Sequence, residues 1–247
     1  MLQASPDASV AGYSDSLVTA LIAAGAAIAT TVFTNIISAR VATRALKREQ
    51  AETLERYRKP LMRAAQDLQS RLYNILCKDF LAAYLGGTDD EDQQYAAEST
   101  LFVIAQFFAW NEIMRRDVQF ADLETEKTGP LSAKLNQVTR AWASDEHGRM
   151  FQIFSAPQRA IGERMIRVTG VRSDCMGYAD FCDEVSAGRI PHLMKIRKEL
   201  WLALADLEPR RHRLRKIQHA LIDLLNILDP ACTRLPAGDR FRAGEGP

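Results

Sequence analysis

The segment LFVIAQFFAW, Leu101 to Trp110, decides the fold class of this chain. It is apolar on every side except at Gln106, so a helix formed by it has no face that favours water. Its aromatic and β-branched content leaves a strand as the alternative, but the helix-forming flanks favour a helix. We therefore predict a central helix around which the domain packs. Gln106 is then a buried amide that needs hydrogen-bond partners, for which Arg71 and Asn74 are candidates.

Helical periodicity extends outward from this segment in both directions. Apolar residues recur at helical spacing over 60–85, where Pro60 either starts a new helix or kinks an existing one. Residues 88–94 form an acidic stretch that predicts a loop. Further helices are predicted over 129–144, 157–170, 173–188, 191–207 and 209–228, with 150–154 open to an extended conformation.

The predicted fold class is therefore all-α. An irregular bundle of six or seven helices accounts for residues 60–230, since no repeat and no alternation of strands with helices is present. The tail at 231–247, rich in Gly, Pro and Arg, is predicted to be disordered.

The N-terminal region contains a long uncharged segment, LVTALIAAGAAIATTVFTNII, from Leu17 to Ile37. As a helix it is about 30 Å long, which matches the hydrocarbon thickness of a bilayer. We therefore predict a transmembrane helix at residues 16–39. A cleaved signal peptide is one alternative, disfavoured because no Lys or Arg precedes Arg40. A buried helix of a soluble protein is the other, disfavoured because such a helix normally keeps a polar face.

The charges that flank this segment predict its orientation. Residues 1–15 carry Asp7 and Asp15 and no Lys or Arg, whereas residues 40–59 begin with several cations. The positive-inside rule therefore predicts a single-pass membrane protein with an extracytoplasmic N-terminus (1–15) and a cytoplasmic C-terminal domain. Residues 40–59 are predicted to form a charged helical stalk. Small residues four apart in the span, such as Ala20 and Ala24, make a homo-oligomer through this helix a hypothesis.

Composition and motifs exclude several classes of function. With 47% apolar and 26% charged residues and a net charge of +1, the chain has no basic field, so nucleic acid is not an expected partner. The four cysteines show no metal-ligand spacing and are predicted to be reduced thiols. Phosphate-binding glycine loops, nucleophile elbows and HExxH motifs are missing, and the four histidines are scattered. We predict no catalytic residue, no metal and no cofactor.

One group of polar residues is a candidate ligand-binding site. Arg71 and Asn74 lie on one polar stripe of the 60–85 helix, and Glu112 and Arg116 directly follow the central helix. If the central helix crosses the core, Glu112 and Arg116 face a cleft beside Arg71 and Asn74, near Gln106. The functional interpretation is a pocket for a small anion. The favoured interpretation is a structural ion-pair network at the end of a core helix.

Four strings carry a resemblance to a known family: AAQDLQSRLYNIL (64–76), STLFVIAQFFAW (99–110), APQRAIGERM (156–165) and QHALIDLLNILDP (218–230). They resemble an uncharacterised family of bacterial membrane-anchored proteins. The resemblance covers most of the predicted cytosolic domain and implies that this domain is one unit. It implies no activity and no site residues.

Three functions are compatible with these observations. The first is a membrane-anchored, non-enzymatic interaction or sensing module, whose partners are the lipid bilayer and a protein or small-molecule ligand. The second is an effector of a bacterial defence or stress system whose spans assemble to perturb or conduct through the membrane, motivated by the threonines and Asn35 in the span. The third is an enzyme with an unfamiliar helical site, disfavoured because no Glu-x-x-His motif is present.

Overall fold

Helices make up most of the chain in the computed structural model, which describes residues 8–119, 129–170, 172–234 and 236–244. Side chains are described from residue 33 onward, except at 46–47, 49–51, 53–54, 117–119 and 172. The described α-helices are α1 (Ala8–Cys77), α2 (Asp90–Gln119), α3 (Gly129–Ala143), α4 (Ser155–Met165), α5 (Tyr178–Ser186), α6 (His192–Ala205) and α7 (Glu208–Leu228). A π-helical turn (Leu81–Leu85), a 3-10 turn (Ala237–Asp239) and strands β1 (Ile166–Thr169) and β2 (Arg172–Cys175) complete them. The all-α prediction is confirmed at the level of fold class.

The chain divides into two compact units, Met1–Glu52 and Thr53–Pro247. In the first unit, the described side chains of Phe33, Ile36 and Ile37 are exposed. Within the described residues no helix is long and apolar enough to cross a membrane. The predicted transmembrane helix at 16–39 lies largely outside the residues whose side chains are described, as does the predicted N-terminal segment 1–15.

The second unit is built around α2, as the central apolar segment predicts. Leu101, Ile104, Phe107 and Phe108 are all buried, and α2 packs most extensively against α4, while α3 packs against α7. The helix begins earlier than predicted because the side chain of Asp89 accepts a hydrogen bond from the backbone N–H of Glu91 (2.9 Å). Acidic residues in the first turn then face the positive end of the helix dipole.

The first helix differs from the prediction at the C-terminal end of the 60–85 segment. At the other end no new helix starts at Pro60, and of the two predicted alternatives it is the one with Pro60 inside an existing helix that agrees with α1. The helix ends at Cys77, before the predicted end at residue 85, because Asp79 adopts a left-handed backbone conformation (φ 50°). A π-helical turn covers Leu81–Leu85 instead.

A β-hairpin replaces the end of one predicted helix and the start of the next. The helix predicted to reach Gly170 ends at Met165, and Ile166 pairs with Cys175 in an antiparallel hairpin. Gly170 has a positive φ (63°) and therefore occupies the turn of the hairpin rather than a helix C-terminus. Residues 150–154 form a turn followed by irregular structure, not a strand.

The C-terminal tail also differs from the prediction. The sequence predicts disorder over 231–247, but the described residues of this segment pack on α7. Arg240 is buried and forms an ion pair with buried Asp229 (2.8 Å). The backbone N–H of Ala243 donates to the side chain of Gln218 (3.1 Å). These polar contacts order a segment that is too poor in apolar residues to order by hydrophobic burial alone.

Candidate functional site

A cavity of about 340 Å³ opens between α2, α3 and α4. Its apolar wall comes from Phe108 and Met114 on α2 and from Leu131 and Leu135 on α3, all of them buried. Polar side chains line the rest, so the cavity combines an apolar surface with a few convergent polar groups. This combination is typical of small-ligand pockets, and the volume lies at the small end of their range.

Gly162 sets the distance between two of the helices that form the cavity. A Cβ atom at this position of α4 would lie 2.6 Å from the carbonyl oxygen of Phe108 and 3.1 Å from the Cβ of Glu112. The backbones of α2 and α4 are therefore in direct contact, and a residue without a side chain is required at their crossing. This contact holds the α2 and α4 walls of the cavity together.

Three arginines line the cavity, one from each helix: Arg115 from α2, Arg140 from α3 and Arg159 from α4. Arg115 forms an ion pair with Glu112. Arg140 and Arg159 are exposed, and within the described part of the chain neither has a carboxylate within 4.0 Å. Glu163, which lies one helical turn after Arg159 on α4, forms its ion pair with Arg116 (2.8 Å).

Glu112 is the buried carboxylate of the cavity, with 3% of its surface exposed. Arg115 donates to both of its oxygens (2.8 and 2.6 Å), and Arg116 donates to Oε1 (2.7 Å). Burial by itself would raise the pKa of Glu112, but the hydrogen bonds from the two arginines outweigh it, so the pKa lies below its ordinary value. Glu112 is therefore an anion that the protein itself has already neutralised.

Gln158 is a buried residue of the cavity wall whose side-chain amide is held by backbone carbonyls. Its Nε2 donates to the carbonyl oxygens of Thr139 (3.0 Å) and Ile153 (2.7 Å). Two carbonyl acceptors use both N–H bonds and fix the orientation of the amide, since the flipped amide would place oxygen against oxygen. Its Oε1 is buried and accepts no hydrogen bond from the described residues.

The structure does not bring the five predicted site residues together. Glu112 lines the cavity, and Arg116 is bound to Glu112 at its edge. Arg71 donates instead to the hydroxyls of Ser99 (2.9 Å) and Thr100 (3.0 Å). Thr100 precedes Glu112 by twelve residues of α2, which separates the two groups by about 18 Å along the helix axis.

The remaining two predicted residues also lie apart from the cavity lining. Asn74 is exposed. Gln106 is half-buried, and its Oε1 has no hydrogen-bond partner among the described residues, so neither Arg71 nor Asn74 supplies the partner that the sequence suggested. Arg71 instead stacks its guanidinium on the ring of Phe80, 4.1 Å from the centroid. Its burial lowers its pKa, although hydrogen bonding to Tyr95 opposes this effect.

The sequence did not single out Arg140, Arg159 and Gln158 as site residues. Arg140 lies on α3 and the other two lie on α4. In the sequence each is an ordinary polar residue, and they line one cavity only because α3 and α4 meet beside α2. Among the described residues no group of three His, Cys, Asp or Glu side chains is placed to hold a metal ion.

No family model matches the chain, and neither the curated proteins nor the solved structures contain a significant match. The geometry of the cavity must therefore carry the functional argument.

Proposed function

We propose that this protein is a membrane-anchored, non-enzymatic sensing module whose helical domain binds a small anion in the cavity between α2, α3 and α4. The observation that carries the proposal is the pair of arginines, Arg140 and Arg159, that line the cavity without a carboxylate partner among the described residues. Guanidinium groups bind carboxylates and phosphates by paired, charge-assisted hydrogen bonds.

The charge balance of the cavity supports an anion rather than a cation. Among the described residues that line it, the one carboxylate is Glu112, which Arg115 and Arg116 hold through three hydrogen bonds. Arg115 and Arg116 are balanced by Glu112 and by Glu163, which also binds Arg116. Arg140 and Arg159 add two positive charges. A ligand with one or two negative charges complements this arrangement, whereas a cation would face net repulsion.

The state of Glu112 also favours binding over catalysis. A general base needs a pKa near the working pH and a free lone pair aimed at the substrate. The pKa of Glu112 is lowered, and both of its oxygens accept hydrogen bonds from arginines. The carboxylate is therefore arranged to hold two arginines in position rather than to move a proton.

The membrane anchor is the second part of the proposal. It is supported by the uncharged segment Leu17–Ile37 and by the cations that follow it. The exposed apolar side chains of Phe33, Ile36 and Ile37 add to this support, because lipid would cover surface that water does not favour. Binding of an anion from the cytoplasm at the membrane surface is the sensing role that we infer.

Binding is tested by titrating the full-length protein in lipid nanodiscs with benzoate and with phenyl phosphate by calorimetry. The double variant Arg140→Gln/Arg159→Gln should weaken binding by about tenfold or more, since two charge-assisted contacts are lost. The matched control is Arg149→Gln/Arg164→Gln, which removes the same charge from two exposed arginines that do not line the cavity. Equal losses in the two double variants would show that binding reflects net charge and would overturn the proposal.

The anchor is tested separately on the expressed full-length chain. Membranes are washed with alkaline carbonate, and protease is then applied from each side. Resistance to washing, with cleavage of the C-terminal domain only from the cytoplasmic side, is the expected result. Release by the wash would refute the anchor and leave the anion-binding part of the proposal standing.

A further inference from the structure

Helix α6 has an exposed face that combines apolar and cationic side chains. Trp201 and Leu202 are 41% and 42% exposed. Arg197 and Lys198 precede Trp201 by four and three residues, so both lie beside it on the surface of the helix. We call these four residues the Trp201 face.

The packing of α6 does not account for the apolar part of this face. The helix already buries one side in the core, through Leu193, Ile196, Leu200 and Ala203. A helix that buries one stripe normally presents polar residues on its other side. Single exposed apolar residues are common, but two large neighbours with cations beside them form a patch, and such patches mark interaction sites.

The cations of the Trp201 face are not neutralised by the fold. Within the described part of the chain, neither of the two has a carboxylate within 4.0 Å. The one carboxylate of α6, Glu199, is half-buried and binds Arg210 (3.1 Å). Directly after the helix, Asp206 accepts a hydrogen bond from the backbone N–H of Glu208 (3.2 Å), whose own carboxylate binds Arg211 (3.2 Å). The face is therefore positively charged and complements an anionic partner.

From these observations we propose that the Trp201 face binds an anionic lipid surface. The indole ring of tryptophan is apolar with one N–H donor, and it prefers the headgroup level of a bilayer. Lysine and arginine bind anionic headgroups while their alkyl chains cover apolar surface. A protein partner matches the face less well, because lysine is depleted at protein interfaces. The inference rests on the anchor of the proposed function, since a membrane span keeps the domain beside lipid.

Trp201 is itself the reporter of lipid contact, because the other two tryptophans, Trp110 and Trp142, are buried. The full-length protein is placed in nanodiscs of phosphatidylcholine, with and without phosphatidylglycerol, and with acyl chains that are either natural or brominated near the headgroup. Bromine quenches tryptophan emission at short range. The emission of Trp201 is the difference between the natural protein and Trp201→Phe. We expect brominated lipid to remove most of this emission in the anionic nanodiscs and little of it in phosphatidylcholine alone.

A charge variant assigns the contact to this face. Arg197→Gln/Lys198→Gln should lower the equilibrium constant for contact with anionic lipid by about tenfold or more, because two cations are lost. Quenching of Trp201 should fall accordingly. The matched control, Lys78→Gln/Arg149→Gln, removes one lysine and one arginine from exposed positions outside α6 and should retain the quenching. Equal losses in the two variants would show a dependence on net charge and would overturn the assignment to the face.

The remaining outcomes are equally decisive. Emission of Trp201 that brominated lipid leaves unchanged in every nanodisc overturns the proposal. If Trp201 is shielded from aqueous iodide but is not quenched by brominated lipid, a protein surface covers it, and the proposal is likewise overturned. Equal quenching with and without phosphatidylglycerol refutes recognition of an anionic surface.

Failure of the anchor is distinguishable from failure of this inference. Carbonate washing tests the anchor, whereas quenching tests the Trp201 face. If the wash releases the protein, the full-length chain is added to brominated anionic vesicles and the same difference in emission is measured. Quenching there supports the face without the anchor, and its absence overturns the face as well.

Discussion

Replacing Gly162 by alanine should separate the two helices that form one side of the cavity. The new Cβ would lie 2.6 Å from the carbonyl oxygen of Phe108 and 3.0 Å from its carbonyl carbon, where real Cβ atoms essentially never approach closer than 3.0 Å. Both obstructing atoms belong to the backbone of α2 and cannot rotate away. The helices must therefore move apart by at least 0.4 Å, the difference between 2.6 and 3.0 Å.

The size of the effect follows from two opposing contributions. Overpacking in a core costs about 1–3 kcal/mol, and a clash between backbones belongs at the upper end of that range. Alanine regains about 1 kcal/mol over glycine within a helix. We therefore expect Gly162→Ala to lower the free energy of unfolding by about 2 kcal/mol, which lowers Tm by about 4–8 °C in a protein of this size.

Tryptophan fluorescence during thermal unfolding of the full-length protein measures this change, because Trp110 and Trp142 are buried in the same unit. The matched control is Gly129→Ala, where an added Cβ meets nothing within 4 Å, and which should leave Tm unchanged or slightly raised. If Gly162→Ala unfolds at the same temperature as Gly129→Ala, α2 and α4 do not meet as described, and the account of the cavity walls is refuted.

Three further substitutions test other parts of the bundle. Arg213 is 1% exposed and donates to four backbone carbonyls between residues 141 and 150. Arg213→Met should lower the free energy of unfolding by about 2–4 kcal/mol, because those carbonyls lose their donors. Chemical denaturation should show a loss well above that of Arg211→Met, and equal losses would contradict this prediction. Arg240→Ala should lower the free energy of unfolding by about 3 kcal/mol, because it leaves Asp229 buried without the cation that it binds in the natural protein. An unchanged Tm would show that the tail does not pack on α7. Glu112→Gln should destabilise the protein at pH 7 by about 1–3 kcal/mol. Because the pKa of Glu112 is lowered on folding, its contribution to the free energy of unfolding is present above the unfolded-state pKa and is lost as pH falls through the folded-state pKa. Denaturation curves of the natural protein and of Glu112→Gln should therefore converge in acid. A difference between them that is independent of pH would contradict this prediction.

The parts of the fold that the sequence predicts are those that depend on local pattern. The apolar segment Leu101–Trp110 indicates a central helix because no side of it favours water, and α2 is that helix. The last helix ends at Leu228, where it is predicted to end, because Pro230 disfavours a helical conformation of the preceding residue. Both signals act within a few residues, so tertiary contacts do not change them.

The hairpin was missed because its signal competes with a helical one. Gly170 is consistent with either a helix stop or a hairpin turn, and the choice depends on the β-branched residues Ile166, Val168 and Thr169 beside it. Given more weight, these residues would have indicated β1. The start of β2 is less evident, since Ser173 and Asp174 are common helix caps.

The candidate site was predicted in part, for a geometric reason. Glu112 and Arg116 are at the predicted end of the core helix and do form an ion pair there. The sequence does not show how far along α2 these two residues lie from Arg71, because that distance depends on which turn of α2 lies beside Arg71 of α1. Arg140 and Arg159 were missed for the same reason, since pairing across helices is not encoded in the spacing of either one.

The contacts around Glu112 hold the polar groups of the cavity in fixed positions. Gly162 fixes the distance between α2 and α4 through direct backbone contact, and Arg116 joins the same two helices by binding both Glu112 and Glu163. The amide of Gln158 is held in one orientation by two carbonyl groups. With these groups already in position, the anion that we propose would have little side-chain ordering to impose on binding, which reduces the entropic cost of association.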